Sequence, residues 1–273
     1  MRHKNRLANA YIILVLVFLY LPTALVVVYS FNISKSVSVW SGFTLDWYGQ
    51  MAADKNLIAL LVSSLRVGLL ASVLSAVLGT LGAVSLHSAK GRFAMAARGL
   101  VHVPLLLPEI VLGVALMAGF AALNVQFGTM TLVASHSTFC IPYVFILVRI
   151  RLRLIDPAIH EAARDLGASR IKVFRTITLP LIAPAIGMGM LLAFAMSFDD
   201  VVISFFVSGI NAQNQTLPPV IYSMVLRGIT PKINALYTII LLVIFTVVGA
   251  LQVMSYRRRK MAAKMAEIEA ANI

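Results

Sequence analysis

From Ala8 to Phe31 this chain carries no charged residue, and five further stretches of similar length are nearly as apolar. That pattern constrains the fold more than any other feature. An apolar run of about 20 residues is long enough to cross the hydrocarbon core of a bilayer. Within that core no water satisfies backbone N–H and C=O groups, so a crossing segment must keep its hydrogen bonds to itself, as a helix does. Of the 273 residues, 60% are hydrophobic and 12% charged. A soluble domain carries about a quarter charged residues. The chain therefore reads as an all-α integral membrane protein with little soluble mass.

Six spans are predicted, at about Ala8–Phe31, Leu57–Leu86, Leu100–Leu123, Met130–Ile150, Leu181–Val207 and Asn234–Tyr256. They form a single transmembrane domain over residues 1–273. The run from Tyr11 to Tyr29 is longer than the 7–15 residues of a signal-peptide core, and no A-x-A site follows, so it reads as an uncleaved first span. In the second span, Gly68, Ser72, Ser75, Gly79 and Gly82 recur at helical spacing. Small faces of this kind let membrane helices approach closely.

The net charge of +13 serves topology rather than nucleic-acid binding, because the basic residues flank the apolar runs. Arg2, Lys4 and Arg6 precede the first span; Lys90, Arg92 and Arg98 separate the second from the third. Arg149, Arg151, Arg153, Arg164, Arg170, Lys172 and Arg175 lie between the fourth and fifth, and Arg257, Arg258, Arg259, Lys260 and Lys264 follow the sixth. The opposite loops hold only Lys35, Lys55, Arg227 and Lys232. Both termini and the 151–180 segment are therefore expected in the cytoplasm. The tail 257–273 reads as a short exposed helix, and Trp40 and Trp47 as an interfacial anchor on the other side.

The cytoplasmic segment is built to hold a shape. Asp156-Pro157 starts a helix: the carboxylate caps free N–H groups, and proline at the first helical position gives up an N–H that has no partner there. Ile159, Ala162, Ala163 and Leu166 then fall on one face. Gly167 suits the left-handed conformation that ends a helix. Ser169 caps a second short helix carrying Ile171, Phe174 and Ile177, before Leu179-Pro180 opens the fifth span. The expected product is a compact two-helix knob with Phe174 as its apolar anchor, read either as a solvated basic loop held at the membrane surface or as a docking element for a partner protein.

Chemistry on this chain itself is not expected. No G-x-x-x-x-G-K-[ST] run exists to cradle nucleotide phosphates, and no His/Cys/carboxylate cluster has metal spacing. Cys140 reads as a buried, inert thiol, and His136, alone on an apolar stretch, as a packing or interfacial residue. Acids inside spans are costly and usually mark a transport path. Glu109 follows Pro108, where the third span is expected to break, and Asp199-Asp200 lie in the fifth. Adjacent helical residues point about 100° apart, so one of the pair is expected to face a pore while the other meets Arg66 or a neighbouring subunit. Buried acids without a matching base favour a cationic substrate over an anionic one.

The spacing Glu161-Ala162-Ala163, three residues, Gly167, nine residues, Ile177, one residue, Leu179-Pro180 resembles the EAA signature of ABC-importer permeases. LPEIVLG around Glu109, SFDDVVISFFVSG from Ser197, TLPPVIYSMVLRGITPKINAL from Thr216, YSFN at Tyr29 and WSGFTLDWY at Trp40 are similar to the second permease subunit of spermidine/putrescine importers. The resemblance implies a type I importer bundle. Glu161, Ala162, Ala163, Leu166, Gly167, Phe174, Ile177, Leu179 and Pro180 would couple to an ATPase. Glu109, Asp199, Asp200 and Tyr222 would line the substrate path, the tyrosine by cation–π contact. It also implies a second related permease, two ATP-binding subunits that carry the ATP and magnesium, and a periplasmic or lipid-anchored polyamine-binding protein in the inner membrane. An importer of the same type for another solute, a channel, or a membrane enzyme are the competing classes.

Overall fold

A computed structural model describes residues 2–35, 39–209, 214–228 and 230–271. Helices are long where apolar runs are long: α1 (Arg2–Tyr29), α3 (Lys55–His87), α6 (Thr129–Arg153), α9 (Leu179–Asp199) and α12 (Pro231–Ala271). Five helical stretches have the length and hydropathy to cross a membrane. A sixth exists if α4 (Arg92–Leu106) and α5 (Glu109–Ala122) count as one span bent by 111°. The break expected in the third span at Pro108 is present. Pro108 lacks an N–H and pushes Leu107 into an extended conformation, at φ −84° and ψ 137°, which stops α4.

The remaining elements are short: α2 (Asp46–Ala52), α7 (Pro157–Asp165), α8 (Arg170–Val173), α10 (Val202–Val207) and α11 (Leu217–Arg227). The fifth span, expected to run to Val207, stops at Asp199, and α10 is a separate helix. At the other end, α12 carries straight on from the membrane-crossing stretch into the basic tail, so the tail helix is not a separate element. Among the described residues no sheet forms; a lone antiparallel bridge joins Asn32 and Phe43.

The chain divides into two units, Asn56–Ser223 and the two end segments Met1–Lys55 with Met224–Ile273. In the end-segment unit, the stretch after α1 is tightly tied. Asn32 takes a backbone N–H from Ser41 and gives its amide to the Val39 carbonyl, each at 2.8 Å. Trp47 is 8% exposed and donates its indole N–H to the Asn32 carbonyl at 2.7 Å. Trp47 is therefore a core residue, not the interfacial anchor expected, because its N–H finds a partner inside; Trp40 stays exposed. Lys232 at the start of α12 pairs with Asp54 just past α2.

In the Asn56–Ser223 unit, α6 is the centre. Leu132, Cys140, Val144, Phe145 and Val148 are fully enclosed, so the buried thiol is where the sequence places it. Small residues on both neighbours permit this. A Cβ on Gly79 of α3 would lie 2.8 Å from the Val144 Cβ, and one on Gly189 of α9 would lie 3.0 Å from the Val144 Cα. Two helices thus close on one valine from different sides, a contact only glycine allows at that distance. Gly68 meets Phe194 of α9 at 3.2 Å in the same manner.

Gly79→Val is expected to destabilise the protein by about 1–3 kcal/mol through overpacking. Gly187→Ala, where nothing lies within 4 Å of the added Cβ, is expected to leave thermal unfolding in detergent unchanged or slightly improved.

Candidate functional site

The gap between α9 and α10 leaves the first N–H groups of α10 without helical partners. Asp200 supplies one: its carboxylate accepts from Ile203 N–H at 3.3 Å and Ser204 N–H at 2.7 Å. His136 of α6 completes the arrangement. Its Nε2 lies 3.4 Å from Asp200 Oδ2 and 3.0 Å from Ser204 Oγ, and its Nδ1 lies 2.6 Å from Ser197 Oγ on α9. A carboxylate beside Nε2 favours the proton on that nitrogen, leaving Nδ1 to accept the Ser197 hydroxyl. His136 and Ser204 are 0% exposed, Ser197 4% and Asp200 8%. The far end of α10 is also held by α6, for Thr131 Oγ1 donates to the Val207 carbonyl at 2.8 Å.

This network settles the acid pair geometrically. Asp200 is buried and engaged on α10 and His136, while Asp199 is exposed. The expected partnership with Arg66 is absent among the described residues: Arg66 is exposed on α3, and the carboxylate pairs with an imidazole instead. His136 is likewise not a passive packing residue. It joins three helices through partners 61 to 68 positions away in sequence, which no local pattern around it reveals.

Glu109 is exposed and stands at the first position of α5, where the helix dipole favours a carboxylate. Its backbone break and that at Asp200 share a neighbourhood to the extent that α5 packs on α10, with Gly113 against Phe206 and Ile203. Tyr222 is 56% exposed on α11, whose start is anchored by the Leu217 N–H donating to Ser64 Oγ of α3 at 2.7 Å. Among the described residues no hydrogen bond or ion pair joins Glu109, Asp199 and Tyr222 to one another.

The 151–180 segment forms as its local signals dictate. Asp156 accepts the Ala158 N–H at 2.9 Å with Pro157 at the first helical position of α7. At its end Gly167 takes φ +79°. Gly167 N–H then reaches the Arg164 carbonyl at 2.8 Å, and Ala168 N–H the Ala163 carbonyl at 3.0 Å. That is a complete Schellman closure, which glycine tolerates without strain. Ser169 caps α8 through the Lys172 N–H. The second helix is not a free-standing short one, however. It widens into a π turn at Phe174–Thr178 and continues into α9, so Arg170–Asp199 is one helical stretch.

Nothing in α7 is buried by this chain. Glu161 and Ala162 are exposed, Ala163 half-buried, and Leu166 is 89% exposed. Ile171 is open at 71%, while Phe174 and Ile177 are half-buried and Leu179 and Pro180 exposed. The projecting apolar groups are therefore Leu166 and Ile171. Phe174, the expected anchor, is turned partly inward by the π turn. His160 Nε2 lies 2.9 Å from Thr178 Oγ1, tying α7 to the root of α9.

The chain thus combines apolar helices interrupted next to acids with a capped helix, α7, that none of its described residues buries. Solved structures share this fold. A bacterial importer of the acidic polysaccharide alginate aligns with TM-score 0.72 over 93% of this chain and 94% of that chain, at 17% identity. The chain belongs to the family described as the binding-protein-dependent transport system inner membrane component, whose profile matches residues 68–261. Among curated relatives, the putrescine transport system permease protein PotI of Escherichia coli K12 is 43% identical over 82% of each chain. The spermidine/putrescine transport system permease protein PotC of Haemophilus influenzae is 38% identical, covering 86% of this chain and 91% of its own. The protein is thus a transmembrane transport component of the inner membrane.

His136→Ala removes a partner from Asp200, Ser197 and Ser204 together, and is expected to lower stability by about 1–3 kcal/mol. Asp199→Asn touches none of these and is expected to leave the melting temperature unchanged. Thermal unfolding of the two variants side by side checks the contrast.

Proposed function

We propose that this chain is the permease subunit of an ATP-driven importer of polyamines, spermidine or putrescine class. The observation that carries the reading is its 43% identity to a putrescine permease over 82% of both chains. In this reading residues 1–273 act as one six-span permease domain with the bent α4–α5 pair as its third span, and both termini are cytoplasmic. A second, related permease completes the channel. Two ATP-binding subunits perform the hydrolysis, and a periplasmic or lipid-anchored binding protein delivers the amine.

The exposed acids support a cationic cargo. Asp199 and Glu109 stand free at helix breaks, and Tyr222 presents an uncovered aromatic face. An ammonium group meets carboxylates and π faces favourably. Asp200 is assigned a different task in the same path, that of holding α10 while Asp199 faces outward. The 151–180 segment is the coupling element. Its capped ends make α7 rigid, and Leu166 and Ile171 supply apolar surface for a cleft on the ATPase. ATP binding closes the ATPase pair, the knob moves with it, and the bundle alternates between outward and inward openings. Such a cycle requires partner contacts that differ between the two states.

In proteoliposomes containing the whole complex, Asp199→Asn and Glu109→Gln are expected to cut labelled putrescine and spermidine uptake at least tenfold, with assembly intact. Normal uptake in both would sink the proposed path, and ATP-independent flux by the chain alone would sink the importer reading. Leu166→Asp is expected to abolish co-purification of the ATPase without altering the chain's own melting, since Leu166 packs on little within this chain. Gly167→Ala strains the positive φ and is expected to lower transport per ATP hydrolysed. Unchanged coupling and capture in these two would remove the docking role.

A further inference from the structure

Near the C-terminal end of α6, three arginines and a histidine come together: Arg98 and His102 one turn apart on α4, Arg149 and Arg153 one turn apart on α6. A cavity of about 140 Å³ lies between the helices, lined by His102, Arg149, Arg153, Ile146 and Ile150. Arg149 feels the like charges of both Arg153 and Arg98. Among the described residues, no carboxylate lies within ion-pair distance of these groups. Like charges at this spacing repel, and partial burial strengthens the effect.

The cations are held rather than free to disperse. Arg149 sits over the Phe145 ring at 5.8 Å from its centroid, and His102 packs edge-on against the same ring at 5.8 Å. His102 Nδ1 faces the Arg98 carbonyl at 2.6 Å. Arg98 in turn donates to the Leu86 and Ala89 carbonyls, each at 2.6 Å, closing the turn between α3 and α4. Arg151, between the two cavity arginines, points elsewhere and donates to the Leu181 carbonyl. Arg149 and Arg153 thus line the cavity with no hydrogen-bond acceptor for either among the described residues.

We infer that this cavity binds the phosphate of an anionic phospholipid. Two guanidinium forks match phosphate oxygens in geometry and charge. The apolar half of the ligand is specified as well. Ile146 and Ile150 line the cavity beside the arginines, and Ile150 is exposed. A site at the last turn of a membrane-crossing helix, with guanidinium groups and isoleucines in one lining, fits a headgroup whose acyl chains stay in the bilayer. Basic pockets between helices are known to suit such headgroups. The inference does not rest on the acids of the proposed path or on the exposed face of α7, although Arg153 stands at the start of the 151–180 segment.

Native mass spectrometry of the delipidated complex tests it, with phosphatidylglycerol, phosphatidylcholine of the same chains, and inorganic phosphate as separate probes. Phosphatidylglycerol is expected to be retained at least tenfold better than phosphatidylcholine. Arg149→Gln/Arg153→Gln is expected to erase that preference, while Lys90→Gln/Arg92→Gln, with the same charge loss on the neighbouring loop, keeps it. Equal retention of both lipids, or equal loss in both variants, overturns the site. Displacement of phosphatidylglycerol by millimolar inorganic phosphate would reassign it to a free anion and overturn the lipid. If the Gln pair fails to assemble, the three-probe comparison on the wild-type complex decides alone.

Discussion

A backbone that leaves its helix within a bilayer has no water to bond to, so each break must be repaired by the protein itself. The break after Asp199 shows how this chain meets that demand. Asp200 takes the free N–H groups of α10, His136 holds the Asp200 carboxylate, and Ser197 and Ser204 occupy the rest of the imidazole. A carboxylate this enclosed is tolerable only with such partners. With Asp200 committed inward, the chain turns so that Asp199 stands exposed.

The same economy governs the packing. In lipid, helices gain little from apolar contact alone, so close approach and buried polar contacts hold them together. Val144 is gripped by Gly79 and Gly189, and polar side chains of α6 reach α3, α9 and α10. Ser137 bonds toward Ala71 of α3, Cys140 toward Ala193 of α9, and Thr131 toward the end of α10. α6 therefore combines close packing with several buried polar contacts.

Local features were legible in the sequence and distant ones were not. Asp156-Pro157, Gly167 and Ser169 announce helix ends through their own backbone chemistry, and each does so in the structure. Pro108 announced the break before Glu109 for the same reason. The small residues of α3 pack as their spacing implies. The role of His136 depends on serines far along the chain, and nothing beside it marks that role. Phe174 and Trp47 read as outward groups because both are large and sit near charged or polar sequence. A π turn and one indole hydrogen bond draw them in. The relation of Asp199 to Asp200 rested on helical periodicity, and the helix ends between them.

The central claim is a division of labour between two adjacent acids, one for the cargo and one for the fold. A structure of the assembled importer with a polyamine trapped in its path tests it most directly. The account predicts an ammonium nitrogen within hydrogen-bond distance of the Asp199 carboxylate, with Asp200 still bonded to His136 and the α10 N–H groups. An amine seated on Asp200, with His136 displaced, would contradict it.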